Sequence, residues 1–320
     1  GYYYNFGGNP GSCVGTIGGG ALSNCTGENL LSYFEDPDNV PMDVWDFRGT
    51  WGTDPSDNLP CLLWEPECVW VPCPIMTGAG THGDPHPIYK CCQLENISAA
   101  MNHHYVLARD LDCRKTRSWW GGRGFLPVGA DSDGEWRNRF RGSLDGAGHT
   151  VRNIYISRDL QSLGLFTMNF GEIFDLNLVD IDFNENYYGD STVGGIAGRS
   201  AEIIQNCSVT GVMTGGNCGG LTGVAWLNTR IQDCVADVEI DCRGVAGGAV
   251  GTLGSGIVES SYATGDVTGE NQIGGFIGRS SSIIRNCYAT GDVEGVNAVG
   301  GFIGLFWAGW IKEVYATGSA

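Results

Sequence analysis

In the C-terminal half of the chain, apolar residues recur neither every third or fourth position nor in long alternation, but in short phased runs separated by glycine. Aligned on their first residue, the runs begin at Val151, Ile173, Ile204, Ile231, Val258, Ile284 and Ile311. The third position reads Asn153, Asp175, Asn206, Asp233, Ser260, Asn286 and Glu313. The fourth reads Ile154, Leu176, Cys207, Cys234, Ser261, Cys287 and Val314, and the sixth is always Ile, Leu, Val or Ala. Small and branched residues at fixed places, with glycine between short runs, predict β-strands joined by tight corners. A helical repeat needs apolar residues three and four apart over ten or more positions, and no such window occurs.

A second register confirms the repeat. Glycine boxes stand at Val193-Gly-Gly-Ile-Ala-Gly198, Cys218-Gly-Gly-Leu-Thr-Gly223, Ala246-Gly-Gly-Ala-Val-Gly251, Ile273-Gly-Gly-Phe-Ile-Gly278 and Val299-Gly-Gly-Phe-Ile-Gly304. Their first paired glycines, Gly194, Gly219, Gly247, Gly274 and Gly300, are 25, 28, 27 and 26 residues apart. A period of that size marks a solenoid, in which no coil can bury its apolar face until a neighbour stacks on it. Three short strands and three turns fit one coil, and coils stack at about 4.8 Å. Seven aligned coils predict a rod on the order of 30 Å long, right-handed by the crossover rule. The paired glycines are expected at corners with positive φ, where stacked turns approach without a Cβ between them. A flexible linker would lack the phased Ile, Val and Phe. A phosphate-cradling loop would need Gly-Lys-Ser/Thr, which follows none of the boxes.

The boxes, followed by Ser261-Tyr-Ala-Thr-Gly-Asp-Val-Thr-Gly269 and Cys287-Tyr-Ala-Thr-Gly-Asp-Val-Glu-Gly295, resemble the GLUG motif repeats of bacterial and archaeal surface proteins. His104-Tyr-Val-Leu-Ala-Arg-Asp-Leu-Asp-Cys113, Gly124-Phe-Leu-Pro-Val-Gly129 and Phe140-Arg-Gly-Ser-Leu-Asp-Gly-Ala-Gly-His-Thr-Val151 resemble the lead-in to those repeats in large secreted adhesin-like proteins. The resemblance spans about residues 88–320. It implies a right-handed parallel β-helix on an extracellular protein and brings no catalytic residues. Val238-Glu-Ile-Asp-Cys-Arg243 departs from the usual Gly-Asp-Val. The expected organisation is a Cys/Pro-rich cap or docking module over 1–87, lead-in coils over 88–190 and GLUG-like repeats over 191–320.

Composition agrees with an outside location. The 320 residues include 36 Asp+Glu against 18 Lys+Arg, a formal charge of −18, which argues against nucleic acid or an anionic membrane surface as partner. No apolar run reaches the roughly 18 residues needed to span a bilayer. A start at Gly1 is expected to follow removal of a signal peptide, and 13 cysteines then read as disulfides. Cys207 and Cys234 hold the same place on adjacent coils and are expected to pair, since about 4.8 Å lies inside the Cα window. Cys287 is separated from Cys234 by Ser261 and is expected to be a buried free thiol. Cys218 and Cys242 form a second expected pair. Cys113 is expected to join Cys91 or Cys92, with Cys92–Cys113 the working assignment. Cys13, Cys25, Cys61, Cys68 and Cys73 would form two pairs and share one with the leftover cysteine. A zinc site at Cys61, Cys68 and Cys73 is disfavoured because no Cys-x-x-Cys occurs.

Other chemistry is sparse. Asp175, Asp233 and Glu313 could suggest the carboxylate row of a polysaccharide lyase or hydrolase, but Asn206 interrupts it, and such corner ladders bond neighbouring backbone. His82-Gly-Asp-Pro-His86 reads as a turn, and His103, His104 and His149 as structural. No cofactor is expected; acidic corners such as Asp131 and Asp133, or Asp36 and Asp38, could hold calcium. Of three Asn-x-Ser/Thr sequons, Asn24 and Asn96 are glycosylation candidates, whereas Asn206 sits on the ladder and is expected unmodified. Trp64, Trp70, Trp119, Trp120 and Trp136 could stack on sugars or pack in a core. The arm carrying Tyr2, Tyr3, Tyr4 and Phe6 and the apolar stretch with Phe306, Trp307 and Trp310 stand at opposite ends. They suggest either a head-to-tail homopolymer, in which one protomer covers the open coil of the next, or a longer chain in which further repeats follow. The expectation is thus a secreted structural or adhesive rod, with a carbohydrate-binding or polysaccharide-degrading β-helix as the competing class.

Overall fold

The computed structural model describes residues 73, 76–130, 138–186 and 190–320, together with the short strands Tyr2–Tyr4, Thr26–Glu28, Trp51–Thr53 and Pro60–Leu62. The chain divides into two compact units, residues 1–72 with Ser118–Gly122, and Cys73–Arg117 with Arg123–Ala320. In the first, Tyr2–Tyr4 pairs in parallel with Thr26–Glu28, and Trp51–Thr53 pairs antiparallel with Pro60–Leu62.

The second unit is a parallel β-helix. One wall is a six-stranded sheet of Phe166–Asn169, Ala197–Ser200, Thr222–Ala225, Val250–Leu253, Ile277–Ser280 and Ile303–Phe306. The remaining strands of this unit form a 22-stranded sheet. Ile173, Ile204, Ile231, Val258, Ile284 and Ile311 stack in register. Leu178, Val209, Ala236, Ala263, Ala289 and Ala316 form a second column. In both columns every member before the last coil is fully buried. Each side chain thus packs on its own equivalents above and below, which is why the repeat tolerates only a narrow set of residues at these places.

The structure closes six complete coils, one fewer than the run register predicts. The difference lies in the first coil. Val151 stacks on Leu178, and the residue that stacks on Ile173 is Leu144. Asn153 accordingly belongs with Asp180, and the left-handed residue following Leu144 is Ala147. Upstream, Ser143–Asp145, His104–Leu107 and His86–Ile88 prolong one wall. The six-stranded wall meets only isolated bridges there, at Val128 and Phe140.

The glycine boxes work differently from expectation. None of their paired glycines has positive φ. A Cβ on Gly194, Gly219, Gly247, Gly274 or Gly300 would lie 2.0–2.2 Å from a carbonyl oxygen on the far arm of its own turn. One on Gly195, Gly220, Gly248 or Gly275 would lie 2.1–2.6 Å from the carbonyl of the equivalent glycine in the next coil. The first glycine therefore closes the corner and the second lets corners stack. Positive φ falls instead on the third-position ladder: Asp175 54°, Asn206 51°, Asp233 54°, Ser260 51°, Asn286 53° and Glu313 56°. Asn and Asp tolerate this left-handed region best among residues with a side chain.

Gly248→Ala is expected to destabilise the β-helix by about 1–3 kcal/mol through overpacking. Gly254→Ala, whose added Cβ meets nothing closer than 3.6 Å, should change the unfolding midpoint little. Denaturant unfolding of the two variants side by side checks the distinction.

Candidate functional site

Stacking places equivalent side chains in columns, so every surface feature of the rod is a row. On the corner ladder the amide of Asn206 donates to the rung before it, Asp175, and that of Asn286 to the Ser260 hydroxyl at 3.2 Å, while Asp233 accepts from the amide of its chain neighbour Gln232 at 3.0 Å. The carboxylates of Asp175 and Asp233 thus serve as acceptors within the scaffold. On the exterior, the tyrosine of each Tyr-Ala-Thr-Gly segment stacks on the next. Tyr262 and Tyr288 lie 4.6 Å apart with rings 4° from parallel, and Tyr288 and Tyr315 lie 5.1 Å apart at 7°. The coil step imposes face-to-face rings where free pairs prefer an offset or an edge.

The interior column holds Cys207, Cys234, Ser261 and Cys287. Cys207 and Cys234 stand opposite each other, since Ser208 pairs with Val235. The expected disulfide between them is absent, and both are buried free thiols. In-register parallel strands send their Cβ atoms in the same direction and hold them near the strand spacing, beyond the roughly 3.8 Å mean of a cystine. Each thiol instead donates to the carbonyl two residues earlier: Cys207 to Gln205, Cys234 to Gln232 and Cys287 to Arg285, all at 3.1 Å. Burial, and then the adjacent Cys234 thiol, push Cys207 well above an ordinary thiol pKa, and burial takes Cys287 up to about 11. Thiols are nucleophilic only as thiolates, so Cys207 and Cys287 are poor nucleophiles at neutral pH, and burial closes all three to reagents.

The disulfides sit where backbone direction changes. Cys218 bonds Cys242 across a corner, with Cα atoms 6.2 Å apart. Cys91 bonds Cys113, and Cys92 bonds Cys73. The Cys92–Cys113 assignment is therefore corrected: consecutive residues of the helix Cys91–Asn96 point about 100° apart, so the two thiols reach different partners. Asn96 is half-buried at the end of that helix. Asn206 is exposed but has committed its amide to Asp175. Tyr2, Tyr3 and Tyr4 form the strand already described. Phe6, Asn24, Cys13, Cys25, Cys68, Asp36, Asp38, Asp131, Asp133, Trp64, Trp70 and Trp136 lie outside the described residues, as does the side chain of Cys61. His86 meets Thr77 O at 2.7 Å and His103 at 2.9 Å, which makes a hydrogen-bonded turn of that motif. Among the described residues no group of three or more His, Cys, Asp or Glu is placed to hold a metal ion, and no helix is long and apolar enough to cross a membrane.

Two features were missed by the run alignment. Glu259 is buried and accepts from Arg230 on the preceding coil and Arg285 on the following one. Burial pushes its carboxyl up, but the two guanidinium bonds outweigh it and the net direction is downward. The other is a groove over the six-stranded wall, bordered by Arg199 and Arg279. Both of these follow a glycine box in an identical Gly-Arg-Ser, at 198–200 and 278–280, which is the signal that could have found them.

The last coil presents an end face. Positions whose equivalents are buried one coil earlier emerge at Phe306 and Ile311, beside Trp307 (71% exposed), Trp310 (68%) and Tyr315.

A stacked β-solenoid with buried interior thiols and ladders of matched surface side chains is the architecture of a repeat protein. Within it, residues 269–294 match the model of the GLUG motif. The chain is 35% identical over 173 residues to Halomucin of Haloquadratum walsbyi, covering 51% of this chain and 2% of that protein. It is 30% identical over 137 residues to a protein of Evansella cellulosilytica provisionally named a Gly-rich membrane protein, covering 41% of this chain and 15% of that one. The chain thus spans a small part of these relatives. The crystal structure of a Bacteroides ovatus protein, provisionally named an immunoglobulin A1 protease, superposes with a TM-score of 0.56 at 23% identity, covering 75% of this chain and 77% of that one. That likeness concerns the fold alone.

Alkylation followed by peptide mapping should label Cys207, Cys234 and Cys287 only after denaturation; a Cys207–Cys234 cystine peptide would contradict the column of buried free thiols. Glu259→Gln should cost about 1–3 kcal/mol near neutral pH. Because the folded pKa lies below the unfolded value of about 4.3, the cost is complete above that pH and fades as pH falls through the folded pKa. Melting temperatures of both proteins from pH 7 to pH 2 check it.

Proposed function

We propose that this chain is a rigid structural or adhesive segment of an extracellular surface protein, and that its columns continue by stacking on another β-helical coil. The carrying observation is the end face. Two columns that are buried through five coils reach solvent there, at Phe306 and Ile311, flanked by the exposed Trp307, Trp310 and Tyr315. An exposed, flat, apolar strand edge is the arrangement that proteins ordinarily cover. A second copy of the chain offers a matched surface, because coil repeats share register and side-chain size. A head-to-tail contact of that kind does not close on itself and extends as a filament. The names of the relatives, Halomucin and a Gly-rich membrane protein, support a surface location. The cystines of the lead-in support an oxidising compartment. We read the molecule as non-enzymatic, since the ladder carboxylates are engaged in holding corners; release of product from a panel of acidic and neutral polysaccharides would reverse that reading.

Sedimentation and electron microscopy of the purified chain should show concentration-dependent head-to-tail association. Ile311→Asp, which sets a charge in the centre of the end face, should shift the population to monomer without lowering the melting temperature. Wild-type protein that stays monomeric at high concentration, or a variant that associates equally well, would remove self-assembly from the proposal.

A further inference from the structure

The lateral wall carries a groove of about 740 Å³ that no repeat motif accounts for. Its floor is Val224 and Thr252, on adjacent strands of the six-stranded wall, and in the same register Arg199 and Arg279 stand at its two ends. Three strand spacings separate those ends, about 14 Å. Arg243 enters from the corner side, its guanidinium 3.5 Å from the buried carboxylate of Glu185, which fixes its position. Arg199 is held against the Thr192 hydroxyl at 3.2 Å and Arg279 against that of Thr252 at 3.1 Å. Three arginines face one exposed-side carboxylate, Asp190, in a chain whose acidic residues outnumber basic ones 36 to 18. A second groove of about 260 Å³ shares Thr252 and Arg279 and continues along the wall to Trp307.

We propose that this continuous groove binds a linear acidic glycan. Arg199, Arg243 and Arg279 take its carboxylate or sulfate groups, and Trp307 supports a sugar ring further along. Guanidinium forks suit such anions because they donate two parallel bonds to one group. A nucleic acid presents a far denser row of charges, and the net −18 of the chain opposes it. An acidic peptide gains affinity by adding a strand to a free sheet edge, whereas this wall is paired on both sides at every inner strand. The inference deepens the adhesive part of the function proposed above and rests on it; its arginines lie on a lateral face, while Trp307 is shared with the stacking end.

The test is calorimetric titration of the full chain with a six-sugar uronate oligosaccharide, a sulfated oligosaccharide, the carboxyl-reduced neutral form of the first, polyglutamate and inorganic phosphate. Saturable one-to-one binding of an acidic oligosaccharide that weakens with salt is expected. It should fall about ten-fold or more in Arg199→Gln/Arg279→Gln, about 1.4 kcal/mol or more. Thr252→Tyr fills the floor without removing charge and should weaken binding as well, with the melting temperature of each variant reporting on folding. Absence of binding to either acidic oligosaccharide, equal binding of the neutral sugar, of polyglutamate or of phosphate, or undiminished binding in both variants would overturn the assignment. Ile311→Asp should bind like wild type, so loss of self-assembly and loss of glycan binding are read separately.

Discussion

Everything in the β-helix depends on in-register parallel stacking at the strand spacing. A coil has no hydrogen-bonded interior of its own; its backbone donors and acceptors are met by the coils before and after it. Once neighbouring coils are about 4.8 Å apart, each position must be filled by something that tolerates its own copy at that distance. At Gly248 only hydrogen qualifies, because the Gly275 carbonyl occupies the place of a Cβ. In the column of Ile173, Ile204 and Ile231 a branched apolar chain qualifies, because successive copies interlock and exclude water.

The same constraint explains the cysteine chemistry. Within one column the repeat keeps Cβ vectors parallel, so Cys207 and Cys234 remain neighbours that do not bond. Cystines form where the chain leaves the repeat: at the corner joined by Cys218 and Cys242, and in the lead-in helix bearing Cys91 and Cys92. Cross-links therefore secure the irregular parts of the unit, while the regular part relies on packing and on shared rungs such as Asn206 to Asp175. Charge follows the same rule. Glu259 is tolerable in a buried position only because arginines on both adjacent coils reach it.

Much of this was legible beforehand for a simple reason: repetition turns tertiary contacts into a sequence period. The columns beginning at Ile204, the corner ladder and the Cys218–Cys242 pair could be read from spacing alone. The first coil could not. Val151 fits the run pattern as well as Leu144 does, and only the pairing of Leu144 with Ile173 separates them. The role of the paired glycines was likewise misassigned, since a clash with another coil and a left-handed backbone leave the same residue in the sequence.

The sequence by itself determined the period, the strand character of each run and which side chains share a column, because those follow from local propensity and repeat length. The tertiary structure decided the handling of direction: which thiols face one another without bonding, which glycines lack room rather than need freedom, and which arginines converge over the wall. Direction depends on how Cβ vectors are oriented between coils, and no spacing along a single chain encodes it.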